Sequence, residues 1–200
     1  MNRSIFILSA IVFGLSQLAF SQQQNPDAPP CSSELECVTL GSEAFGRKDW
    51  STAEQMYSIA CDQNSPTACA ELGSTYYSQT GLEPSARQSF KKSCDLDAGE
   101  RSAKGCFIFG LMATDGEGGA VDYNSAASAF LQACDNGPSS IAAACQMVGV
   151  FYNTGTGFPK DQTLALEYFD KACDASVAEA CATAVQVRMT SIKEFNDTEK

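Results

Sequence analysis

Residues 145–181 read CQMVGVFYNTGTGFPKDQTLALEYFDKACDASVAEAC, and the spacing inside this stretch decides the fold. Gly149 follows Cys145 by four residues, and Phe151-Tyr152 and a Gly-Thr-Gly-Phe-Pro turn come next. Beyond the turn, Ala165, Phe169 and Cys173 fall at steps of four, and the next cysteine is Cys181. With 3.6 residues per helical turn, Ala165, Phe169 and Cys173 share one face. The same frame recurs upstream: Cys37/Gly41 leads to Ala53/Tyr57/Cys61, Cys69/Gly73 to Ala86/Phe90/Cys94, and Cys106/Gly110 to Ala126/Phe130/Cys134. No segment alternates as a strand does. A repeat of about 36 residues predicts an all-α chain of paired antiparallel helices, stacked into a right-handed α/α solenoid.

Working outward, residues 1–21 read as a secretory signal peptide, with Arg3 in the n-region and an apolar run from Ile5 to Leu15. Ala19-Phe20-Ser21 offers small residues for cleavage before Gln22. Ser16 and Gln17 interrupt the run, which is short for a membrane span. Residues 22–34 form a polar linker, 35–195 the solenoid of about four repeats plus a capping helix, and 196–200 a polar tail. The mature protein is expected to be a secreted or periplasmic monomer with no membrane attachment. Asp49 or Ser51 is placed to cap the second helix, and Asn64-Ser65-Pro66 to separate the second from the third. The last helix, about Val177 to Phe195, carries Val185 where the frame expects Gly, and turns polar after Arg188, as an end cap does.

Composition excludes several functions. The net charge of −11 becomes −12 once Arg3 leaves with the leader, which argues against nucleic acid or an anionic membrane as partner. The chain has no histidine. Ser-His-Asp and Cys-His nucleophile systems, histidine-bearing zinc sites and axial histidine ligation of haem are therefore ruled out. No cofactor is expected.

Ten cysteines, an even number, indicate an oxidising compartment. The repeat register pairs Cys61 with Cys69, Cys94 with Cys106, Cys134 with Cys145 and Cys173 with Cys181, leaving Cys31 and Cys37 for the N-terminal end. Spacing alone permits other connectivities. Zinc knuckles and redox-active pairs would show C-x2-C spacing, which is absent. The four glycines at one place in the first helices each cost about 1 kcal/mol against Ala, so they imply close approach of the paired helix backbone. The aromatics at Tyr57, Phe90, Phe130 and Phe169 are expected to fill the layer between repeats.

The frame of Leu72-Gly73, Tyr76, a Gly-bearing turn, Ala86 and Phe90 resembles Sel1-like repeats, relatives of the tetratricopeptide repeat. The bridging cysteines resemble the cysteine-rich branch of that family, the Helicobacter cysteine-rich proteins. The resemblance covers about residues 35–185; the second unit has a shortened hinge. It implies an adaptor that holds a protein or peptide in a concave groove lined by the first helices. By that register the groove residues are Ser42, Phe45, Ala70, Ser74, Tyr77, Phe107, Leu111, Gln146, Val150 and Asn153. Tyr77, Phe107, Leu111 and Val150 give it an apolar character, with hydroxyl and amide groups around them, which suits an extended peptide. The resemblance also implies, as an alternative, a β-lactamase-like hydrolase that would take a β-lactam or peptidoglycan-derived ligand. A third reading is a structural envelope protein.

No catalytic set is legible. Ser89-Phe90-Lys91-Lys92 matches S-x-x-K, on what reads as the exposed side of a second helix, but neither S-D-N nor K-T-G accompanies it. Asp115-Gly116-Glu117-Gly118 lacks the spaced ligands and closing Glu of an EF-hand loop, and reads as a flexible turn; no metal site is expected.

Overall fold

The computed structural model describes residues 30–138 and 142–198, so the leader and residues 22–29 of the linker lie outside the described residues. Nine α-helices and no strand occur among the described residues: α1 (Glu34–Gly46), α2 (Trp50–Asp62), α3 (Pro66–Tyr77), α4 (Glu83–Asp95), α5 (Glu100–Asp115), α6 (Tyr123–Asn136), α7 (Ala143–Thr154), α8 (Gln162–Asp174) and α9 (Ala178–Thr198). The starts of α1, α2, α3, α6 and α8 are set by side chains that accept first-turn N–H groups. Asp49 accepts from Thr52 at 3.2 Å, Ser65 from Ala68 at 3.1 Å and Asp122 from Ser125 at 3.0 Å. At α1 the N-cap Ser33 Oγ accepts the Glu36 N–H, and the Glu36 carboxylate accepts from the Ser32 N–H just ahead of the cap. Asp49 thus takes the capping place at α2, and Ser51 lies within the helix.

Helices pack in sequence order, and α3 also packs directly on α5 and touches α1. That extra contact puts α1, α3 and α5, the first helices of the first three units, together on the inner side of the stack. Inside each unit the glycine of the first helix receives the aromatic ring of the second. A Cβ on Gly41 would lie 2.7 Å from Tyr57, on Gly73 2.9 Å from Phe90, on Gly110 2.8 Å from Phe130, and on Gly149 2.7 Å from Phe169. The expectation of backbone-on-backbone approach is corrected here: a ring, not the backbone, fills the glycine notch. The aromatics accordingly serve within units first, and Phe130 also meets a ring of the following unit, Phe151, at 5.8 Å.

Buried apolar residues form two clusters, one around Met56, Tyr57 and Leu72, and a larger one running from Ala70 to Val187. The wall between them is α3, with Tyr76 packed against both. Its hydroxyl donates to Glu54 at 3.0 Å.

Five disulfides close the array: Cys31–Cys37, Cys61–Cys69, Cys94–Cys106, Cys134–Cys145 and Cys173–Cys181. The last four each join the end of a second helix to the first helix of the next unit. Their loops are short, so each contributes roughly 2–3 kcal/mol in the chain-entropy account.

The hinge after α5 is latched, not a flexible turn. Arg87 donates to the carbonyls of Glu117 at 3.3 Å and Ala120 at 2.8 Å. Gly118 (φ +69°) sits so close to the start of α4 that a Cβ would lie 2.4 Å from the Glu83 carbonyl oxygen. Gly157 (φ +75°) repeats this one unit on, 2.5 Å from the Tyr123 carbonyl oxygen at the start of α6. Each long hinge therefore docks onto the first turn of the preceding second helix.

Candidate functional site

An apolar cleft of about 380 Å³ opens on the inner face where three units meet. Phe45 comes from α1, Ser74 and Tyr77 from α3, and Ile108, Leu111 and Met112 from α5. Phe90 of α4 forms part of the floor, and Ser78 and Glu117 stand at the rim. The helical period explains the set: Ser74 and Tyr77 are three residues apart on α3, and Ile108, Leu111 and Met112 follow the same face of α5. Tyr77 is 52% exposed and Leu111 37%, so two large apolar side chains are presented to solvent at one mouth. Phe45 is held from behind by Trp50, edge to face at 5.2 Å.

Polar atoms at the rim have specific partners. The Tyr77 hydroxyl donates to Glu117 Oε2 at 3.3 Å. That acceptor, and the nearby charges of Glu83 and Asp115, hold the phenol above its usual pKa. Ser74 Oγ donates to the Ala70 carbonyl at 3.0 Å, and Ser78 Oγ to the Ser74 carbonyl at 2.9 Å.

Of the residues expected in the groove, Phe45, Ser74, Tyr77 and Leu111 meet in this cleft. Phe107 does not; its ring packs edge-on against Phe130 at 6.0 Å, and its neighbour Ile108 faces the cleft instead. Ala70 is buried at 1% exposure and borders a separate depression with Glu71 and Lys104, which form an ion pair at 2.7 Å. Ser42 is exposed on α1 and does not line the cleft. Gln146, Val150 and Asn153 lie half-buried along α7, away from the cleft. Sequence reasoning missed Ile108, Met112, Ser78 and Glu117. The helical spacing from Leu111 would have found Ile108; Glu117 arrives through the Arg87 latch, which leaves no periodic signal.

Ser89 is buried at 8% exposure, contrary to the exposed position expected for it. The Lys92 ammonium pairs with Asp62 at 3.0 Å. The S-x-x-K spacing therefore does not present a hydroxyl with a free amine beside it. No group of three or more potential metal-ligating side chains occurs among the described residues, and no described helix is long and apolar enough to cross a membrane.

The profile of the Sel1 repeat matches residues 66–93 and 142–177. Cytochrome c oxidase assembly factor 7 of Xenopus tropicalis is 33% identical over 146 residues, which cover 69% of this chain and 62% of that protein. The chain thus spans about three fifths of the length of this curated relative. A Sel1 repeat protein from Oxalobacter formigenes superposes with a TM-score of 0.60 at 26% identity, over 80% of this chain and 65% of that one. Cysteine-rich protein B of Helicobacter pylori gives 0.50 at 28% identity, over 68% of this chain and 94% of its own.

Proposed function

The chain belongs to the Sel1-repeat family, and on that premise we propose that it is a scaffold that binds a protein or peptide segment through the inner face of its solenoid. One observation carries the reading: Phe45, Tyr77 and Leu111, from three separate first helices, converge on one apolar cleft. A stack of rigid units holds such side chains in place before a partner arrives, which lowers the ordering cost of binding. Fixed apolar sockets at repeat spacing suit a chain segment, whose side chains recur at regular intervals. The relatives named as assembly factors for cytochrome c oxidase agree with a role in handling protein partners. Five disulfides favour an oxidising compartment, and export by residues 1–21 to the periplasm or exterior, with cleavage at Ser21–Gln22, accounts for them. In this reading the protein acts as a monomer.

The test is a photocrosslinking amino acid placed at Ser78, beside the cleft, or at Gln88, exposed on α4. Discrete polypeptide adducts are expected from Ser78 in cells and not from Gln88, and they should vanish in the Tyr77→Asp/Leu111→Asp variant. Equal adducts from both positions would end the inner-face reading.

A further inference from the structure

The rim of the cleft has acceptors and no free donors. Ser74, Ser78 and Tyr77 each direct the hydroxyl proton at an internal acceptor, leaving only oxygen lone pairs toward a ligand. The Glu117 carboxylate is an acceptor by nature, and no Lys or Arg lines the cleft among the described residues. Glu83 and Asp115 lie near enough to bear on the Tyr77 phenol, and no described salt bridge engages either of them or Glu117. Arg87, which holds the loop that carries Glu117, gives its N–H groups to the Glu117 and Ala120 carbonyls, so it braces the loop without pairing the carboxylates. Behind this local arrangement stands a net charge of −11.

We infer that the cleft takes a polypeptide segment in which an aliphatic or aromatic side chain is adjacent to Lys or Arg. The apolar side chain fills the socket between Phe45, Tyr77 and Leu111, and the cationic neighbour donates to Glu117 at the rim. An acidic neighbour would face like charges and acceptors with no proton to share, a mismatch that costs binding strongly. The inference rests on the inner-face reading above and adds the charge of the ligand to it.

The experiment uses the full oxidised chain and three fluorescein-labelled dodecapeptide pools with randomised Gly/Ser/Ala flanks. Their fixed centres are Leu-Lys-Leu-Lys, Leu-Glu-Leu-Glu and Ser-Lys-Ser-Lys, and binding is read by fluorescence anisotropy. The Leu/Lys pool is expected to bind at least about ten-fold tighter than either other pool. Asp115→Asn/Glu117→Gln should reduce the Leu/Lys over Leu/Glu preference by about three-fold or more, and circular dichroism checks that the variant stays folded. Arg87 holds the Glu117 backbone, so losing the carboxylate leaves the latch in place. Equal binding of the Leu/Glu pool, lost on Leu111→Asp, overturns the charge preference while leaving groove binding intact. Equal binding of the Ser/Lys pool overturns it in favour of unspecific attraction to an acidic protein. Absence of binding by every pool overturns it as well, and the crosslinks at Ser78 then decide the inner-face reading separately.

Discussion

Glycine inside a helix is normally a weakness, yet each unit depends on one. At Gly149 the missing Cβ makes room for Phe169, which is fully buried and has nowhere to retreat. Gly149→Ala sets a helix-propensity gain of about 1 kcal/mol against an overpacking cost of about 1–3 kcal/mol. The clash distance of 2.7 Å lies well inside ordinary contact, so the second effect wins. The expected outcome is a melting temperature several degrees lower, partly restored when Phe169→Leu removes the ring edge. A thermal melt of the single and double variants measures this, and an Ala variant as stable as wild type would refute the notch.

Helix starts tie stability to acidity. Hydrogen bonds from Thr52, through its side chain and then its backbone N–H, hold the Asp49 carboxyl below its usual pKa; those from Ser125 do the same for Asp122. A carboxyl lowered on folding stabilises the native state fully above the unfolded value of about 3.9. That contribution is lost as pH falls through the folded value. Melting temperature should therefore drop below about pH 4, and Asp49→Asn/Asp122→Asn should flatten part of that drop while keeping an oxygen acceptor at each cap. A melt series in which the variant declines as steeply as wild type would show that the caps are irrelevant to acid stability. These starts were largely legible in the sequence, because Asp49, Ser65-Pro66 and Asp122 are local signals that act within three residues. The last helix, expected over about Val177 to Phe195, runs from Ala178 to Thr198, three residues into the stretch that reads as a polar tail. Elements whose place depends on distant groups were not legible. The Asp115–Asp122 hinge looks mobile as a string of glycines, and only Arg87, some thirty residues earlier, makes it a docked loop. Phe107 and Ile108 show the same limit inside a helix: one residue of register, about 100° of rotation, decides which side chain enters the cleft and which packs on Phe130.

Across the whole molecule the staples are unequal. Cys173 and Cys181 are half-exposed, whereas the cysteines of the other four disulfides are buried. An attacking thiolate needs access to sulfur, so graded reduction should open Cys173–Cys181 first and remove the covalent tie between α8 and α9. Timed alkylation and peptide mapping follow the order, and prior opening of Cys94–Cys106 would contradict it. The end helix is also where Val185 replaces the frame glycine; no second helix follows among the described residues to bring a ring against it, and the side chain is 54% exposed. The positions of the disulfides have a mechanical consequence. Pulled from its two ends, the oxidised chain bypasses every inter-unit turn, since tension crosses at the sulfurs. Between the first and the last staple, what remains free to lengthen is each helical hairpin, Cys37 to Cys61, Cys69 to Cys94, Cys106 to Cys134 and Cys145 to Cys173. Their contour lengths are nearly equal, roughly 80–100 Å at full extension. The protein is thus built as a chain of similar extensible links joined by covalent knots, and under load it would yield one link at a time while its ends stay tethered.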